Sequence, residues 1–166
     1  MRILGIDPGL RLTGFACLEA ARSSRTLAHA ALIEAGVIRL NAKLSVADRL
    51  VELDTDLAEI IDRVRPAALA VEKLYAHYAH PTTAIVMGHA RGIVLLRARR
   101  AGVGVIELGA TEVKKSLTGN GHASKVQMQE SVRMQLGLAA RPEPADVADA
   151  IAIALCALRR APAIRR

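Results

Sequence analysis

A chain of 166 residues, 52% of them apolar, is long enough to bury one full core, and its formal net charge of +7 (23 Lys+Arg against 16 Asp+Glu) suits a polyanionic partner. No apolar run approaches the ~20 residues of a membrane span, and neither a signal peptide nor a basic amphipathic anchor helix is evident, so a cytoplasmic protein without membrane association is expected. Aromatic residues make up only 2%, which argues against modules that grip single strands by stacking bases on several rings. Phosphate contact and shape are then left to dominate binding.

Strands are predicted over 2–7, 12–19 and 27–38, the first two joined by an Asp7-Pro8-Gly9 turn. A helix follows over 45–65, where Val46, Leu50, Leu53, Leu57, Ile60, Ile61 and Val64 form one apolar stripe and Pro66 marks the end. Ala67–Val71 is a short buried strand ending at Glu72, and a polar loop, Lys73–His80, leads to Pro81 and Thr82, which open a helix to about residue 100. Gly102 stops that helix, Val103–Leu108 forms another strand, and Thr111–Leu117 a short helix. Beyond the tight loop Gly119-Asn120-Gly121, Ser124 and Gln127 make a capping-box start for a helix to about 136. A Pro-rich connector over 141–144 precedes the last helix, 145–159. Three adjacent strands followed by helix–strand–helix–strand–helix imply an α/β fold, a mixed five-stranded sheet flanked by helices. Residues 1–158 read as a single domain and 159–166 as a basic tail. Cys17 and Cys156 lie in apolar surroundings without zinc or CxxC spacing and read as reduced core thiols.

The chemistry is carried by acids in unusual places. Asp7 ends the buried-strand pattern Ile3-Leu4-Gly5-Ile6, Glu72 follows Leu69-Ala70-Val71, and Asp146 and Asp149 open an apolar helix, three apart and so on one face. A carboxylate directly after an apolar strand is costly unless something positive compensates it. Each has an ordinary explanation: Asp-Pro-Gly is common turn chemistry, and acids favour helix N-termini. A strand's carboxyl end is nevertheless where α/β sheets place ligands. Together the four suggest one acidic pocket filled by a pair of divalent ions, with Mg²⁺ or Mn²⁺ favoured by hard oxygen ligands.

The motifs Gly5-Ile6-Asp7-Pro8-Gly9 with Thr13-Gly14, Val71-Glu72-Lys73-Leu74-Tyr75, Gly88-His89-Ala90-Arg91-Gly92, Val113-Lys114-Lys115, Ser124-Lys125-Val126-Gln127 and Ala145-Asp146-Val147-Ala148-Asp149-Ala150 occur in the order found in RuvC-type Holliday junction resolvases, which the chain resembles over essentially its whole length. The resemblance implies a ribonuclease H-like fold, a homodimer, and endonucleolytic cleavage of four-way DNA junctions in recombination and repair. It assigns Asp7, Glu72, Asp146 and Asp149 as the metal-binding catalytic tetrad, with two ions per site; some relatives carry His at the position of Asp146. It implies DNA contact by Lys114 and Lys125, and a wedging role against bases for Tyr75, a position commonly Phe in the family. It also implies a branch-migration helicase partner of the RuvA and RuvB type.

Spacing alone leaves both lysines open as solvated charges and Tyr75 as a loop anchor, although Lys125 sits at a helix start, where free N–H groups favour a phosphate. Gly88 and Gly92, four apart, make a helix face without side chains. That face suits either packing on the chain's own sheet or, as the resemblance implies, a dimer interface. Three further readings compete. A YqgF-type nuclease acting on RNA shares the opening strand and Asp, a DNA-binding module without catalysis has no use for four acids, and an actin-like kinase needs a second domain.

Overall fold

The computed structural model of the chain describes residues 1–20, 30–74 and 81–160. β1 (Arg2–Asp7), β2 (Leu12–Glu19) and β3 (Ala31–Arg39) form an antiparallel ladder, and β4 (Ala68–Glu72) and β5 (Gly104–Leu108) add in parallel on the other edge of β1, giving the order β3-β2-β1-β4-β5. Parallel neighbours need crossovers, supplied by α1 (Val46–Val64) between β3 and β4 and α2 (Pro81–Arg100) between β4 and β5. The remaining helices are α3 (Ala110–Thr118), α4 (Lys125–Leu136) and α5 (Ala145–Arg160). This is the mixed five-stranded α/β sheet expected. Among the described residues, no helix is long and apolar enough to cross a membrane.

Strand side chains alternate between faces, and the alternation divides the core in two. Ile3, Ala16, Leu18, Ala70, Ile106 and Leu108 pack with α3, α4 and α5. Leu4, Ile6, Phe15, Cys17, Leu69 and Val71 pack with α1 and α2. By the same period of two, Asp7 and Glu72 point to the α5 face, in line with Ile3 and Ala70. Both cysteines are buried free thiols, as expected.

Several boundaries differ from expectation. β3 extends to Arg39, because Arg39 pairs with Leu12; its expected start at 27 lies outside the described residues. Val46 is exposed, because it occupies the first turn of α1, where the helix has not yet reached the sheet, whereas Leu53, Leu57, Ile60, Ile61 and Val64 are buried. Arg159 and Arg160, expected to begin a tail, are the last residues of α5. Arg159 donates to the Ser116 carbonyl and to Gln135, and Arg160 pairs with Glu112, so the helix end is tied to α3 and α4. The rest of that tail lies outside the described residues.

Candidate active site

Three local arrangements bring the acids together. The first is the β1–β2 turn. Thr13, fully buried, donates its hydroxyl to the Gly9 carbonyl at 2.7 Å and accepts the Gly9 N–H at 3.1 Å. The loop after Asp7 is therefore closed on itself by one side chain, and Asp7 stays in register opposite Gly14. The second is the parallel pairing of β4 with β1, which ends at Ile6–Val71 and leaves Glu72 beside Asp7 at the carboxyl edge of the sheet.

The third is the seating of α5. A Cβ at Gly5 would lie 2.3 Å from the Ala150 carbonyl oxygen and 2.7 Å from the Ala154 nitrogen. At Gly14 it would lie 2.1 Å from the Asp146 carbonyl oxygen. The α5 backbone thus rests directly on β1 and β2, an approach that only glycine below and alanine above permit. Residues 150–158 of α5 are all buried, while Asp146 and Asp149, at its first turns, are only partly buried and sit over the end of β1.

Asp7, Glu72 and Asp149 line a cavity of about 220 Å³ together with Lys114, Lys125 and apolar residues of α3, α4 and α5. Asp146 is not in its lining, although it is close enough to act electrostatically on Asp7 and Asp149. None of the four carboxylates has an ion pair or a side-chain hydrogen bond among the described residues. Burial, then the carboxylates of Asp149, Glu72 and Asp146, push Asp7 up to about 7 against the opposing pull of Lys125. Burial and Asp149 raise Glu72, with Lys114 opposing. Burial raises Asp149 as well, opposed by Lys125 and Lys114 and assisted by Asp146.

Crowded acids that form no direct ion pair among the described residues, with only Lys114 and Lys125 opposing their mutual repulsion across the cavity, are the electrostatics of a site suited to cations. The donor set is all carboxylate, which fits hard divalent ions. No group of three such side chains among the described residues is close enough to enclose an ion.

The other predicted positions fall as follows. Lys114, on α3, is partly buried and Lys125, at the start of α4, is exposed; both reach the cavity. The amides expected to offer a phosphate site beside Lys125 are mostly occupied. Ser124 N–H donates to Gln127 and Gln127 N–H to Ser124 in a capping box, while the N–H groups of Asn120, His122 and Ala123 bond within the loop. What Lys125 presents to the cavity is its side chain. Among the described residues, nothing lies within 4 Å of a Cβ added at Gly92, and at Gly88 only Leu74 does, at 3.8 Å, so neither glycine is pressed against the described part of the sheet. Tyr75 lies outside the described residues. Sequence reasoning missed the structural roles of Gly5, Thr13 and Gly14; they stood inside recognised motifs, but nothing local tells a helix-contact glycine from a turn glycine.

Comparison with known proteins identifies the family. The family model for crossover junction endodeoxyribonuclease RuvC matches residues 3–157. A crossover junction endodeoxyribonuclease RuvC of Rhodopirellula baltica is 49% identical over 154 residues, covering 93% of this chain and 84% of that protein. The Thermus thermophilus RuvC structure superposes with a TM-score of 0.86 at 34% identity, covering 98% of this chain and 96% of that one. T. thermophilus RuvC in complex with Holliday junction substrate gives 0.87 at 34% identity, covering 97% and 94%. The sheet and its five helices are accordingly the ribonuclease H-like fold of those structures. With its carboxylates gathered at one end of that sheet, the chain belongs to the RuvC family of crossover junction endodeoxyribonucleases.

Proposed function

We propose that this chain resolves four-way DNA junctions by two matched nicks, one from each copy of a homodimer, with Asp7, Glu72, Asp146 and Asp149 holding two Mg²⁺ or Mn²⁺ ions per site. The observation that carries the reading is the set of carboxylates in and beside one cavity, unpaired among the described residues, with Asp7 raised to about 7 by burial and by its acidic neighbours. Such a set has no structural use on a strand end and repels DNA unless cations fill it.

Two divalent ions held by these carboxylates would lower the pKa of the attacking water and stabilise the leaving 3′ oxygen. The chain's own residues do the rest. Asp7, at the centre of the acids, gives up its proton to admit the cations, which makes loading pH-dependent. Lys114 and Lys125, across the cavity, offset the charge of the scissile phosphate and its neighbour. The buried seat of α5 on Gly5 and Gly14 keeps Asp146 and Asp149 at fixed height over Asp7. Residues 1–160, to the end of α5, act as one nuclease domain, and Arg165 and Arg166 beyond it add positive charge. We further propose that it acts in the cytoplasm, beside a branch-migration complex of the RuvA and RuvB type.

The test is cleavage of a mobile four-way junction with and without Mg²⁺ or Mn²⁺. Asp7→Asn, Glu72→Gln, Asp146→Asn and Asp149→Asn are each expected to lower cleavage by more than about 100-fold, the upper range for losing even an outer-shell partner of a metal. Junction binding, followed by gel shift, should persist or tighten, because each variant removes negative charge from the DNA path. Wild-type cleavage by the Glu72 or Asp149 variant would refute the assignment.

A further inference from the structure

Glu72 is the last residue of β4, one position past the final β1–β4 pair. What holds it there is one peptide group and one arginine. The N–H of Lys73 donates to the Leu108 carbonyl at 2.8 Å. The carbonyl of Glu72, the other end of the same peptide plane, accepts Nε of Arg91 at 3.0 Å. The same guanidinium gives Nη2 to the Glu107 carboxylate, on β5 beside Leu108. Arg91 lies on α2, on the sheet face opposite the acidic cavity, with only 15% of its side chain exposed. A planar fork bound at two points cannot rotate, so it fixes the peptide plane from which the Glu72 side chain departs.

We propose that Arg91 is a positioning residue for Glu72: from the far face of the sheet, its fork between the Glu72 carbonyl and Glu107 aims the Glu72 carboxylate into the cavity. The inference rests on the reading of Glu72 as a metal ligand. Arg91 touches neither substrate nor ion, and it acts through the β4 backbone. Glu107 serves as the anchor that keeps the fork flat. Because α2 also carries the open face at Gly92, the fork joins that face to the end of β4 through one side chain.

The experiment is calorimetric titration of the DNA-free protein with Mn²⁺, alongside the Mn²⁺ dependence of junction cleavage, for wild type, Arg91→Met, Arg91→Lys, Glu107→Gln and Glu72→Gln. Arg91→Met should raise the Mn²⁺ concentration for half-saturation about 10–100-fold in both readouts, as expected for losing an outer-shell partner. Junction affinity measured without metal should not change. Arg91→Lys keeps the charge but lacks the fork, and Glu107→Gln keeps the fork but weakens its anchor, so both should fall between. They also supply the answer if Arg91→Met fails to fold. A lowered melting temperature with wild-type Mn²⁺ affinity in the Arg91 and Glu107 variants, while Glu72→Gln loses Mn²⁺ binding, would overturn the proposal and leave Arg91 a purely structural residue. Undiminished Mn²⁺ binding by Glu72→Gln would instead overturn the reading of Glu72, and this inference with it.

Discussion

At the scale of single residues, Asp7 has the most consequential environment in the chain. An aspartate at about 7 in the folded protein and 3.8 in the unfolded chain binds more protons folded than unfolded between those values. Stability of the metal-free protein therefore falls as pH rises through that window, by on the order of 4 kcal/mol once Asp7 is fully ionised. Asp7→Asn removes the penalty. At pH 8 without metal it should melt higher than wild type, at about 2–4 °C per kcal/mol for a chain of this size, and at pH 3.5 the two should melt together. Mn²⁺ should raise the wild-type melting temperature at pH 8 and move Asp7→Asn less; scanning calorimetry at the two pH values reads both. For Lys114 and Lys125 the proposed role is tested on DNA. If each contacts a phosphate, Lys114→Ala or Lys125→Ala should weaken junction binding across sequences and flatten the salt dependence by about one unit of slope. An unchanged slope in both would leave them as solvated charges.

At the scale of elements, the contact between α5 and the sheet decides the site. Alanine at Gly5 or Gly14 would press a methyl group into α5 backbone atoms, not into a side chain that could swing away. The helix must lift, at about 1–3 kcal/mol for overpacking. Because Asp146 and Asp149 ride on that helix, a displacement of about 1 Å should cost on the order of 100-fold in cleavage. Gly5→Ala and Gly14→Ala are thus expected to lose far more activity than melting temperature, and normal cleavage by either would show that α5 need not sit so low. Both glycines were visible in the sequence as motif letters, and α5 itself was legible from its run of Ala, Ile and Leu. Which residues that run would touch was not legible, because helix-to-sheet distance is set by atoms far apart in sequence.

At the scale of the whole molecule, resolution needs two opposed nicks, and a four-way junction has approximate two-fold symmetry. A two-fold dimer presents one site twice in matching orientation. The outward face of α2 carries Ile85, 60% exposed, and Leu96, 44% exposed, with Gly92 open between them. Gly92→Leu has room in the isolated chain and should stabilise the helix by about 0.5–1 kcal/mol. If this face joins two copies, sedimentation should nevertheless show the variant dissociating at concentrations where wild type remains dimeric. Mixed dimers with one Asp7→Asn subunit should leave singly nicked junctions, and fully resolved products from them would mean that one site serves both strands.

From sequence alone, the local patterns determined the order and type of the elements and most of the apolar stripe of α1, because these depend on residues within one helix or strand. Strand ends and helix starts also marked the four acids, since a carboxylate beside a buried run is conspicuous wherever the chain goes. The sequence did not determine that Asp146 would stay outside the cavity lining. Nor did it show that Arg91, on the opposite face of the sheet, would hold the Glu72 carbonyl. Each of these depends on distances of a few tenths of an ångström between segments tens of residues apart, and only tertiary packing sets such distances.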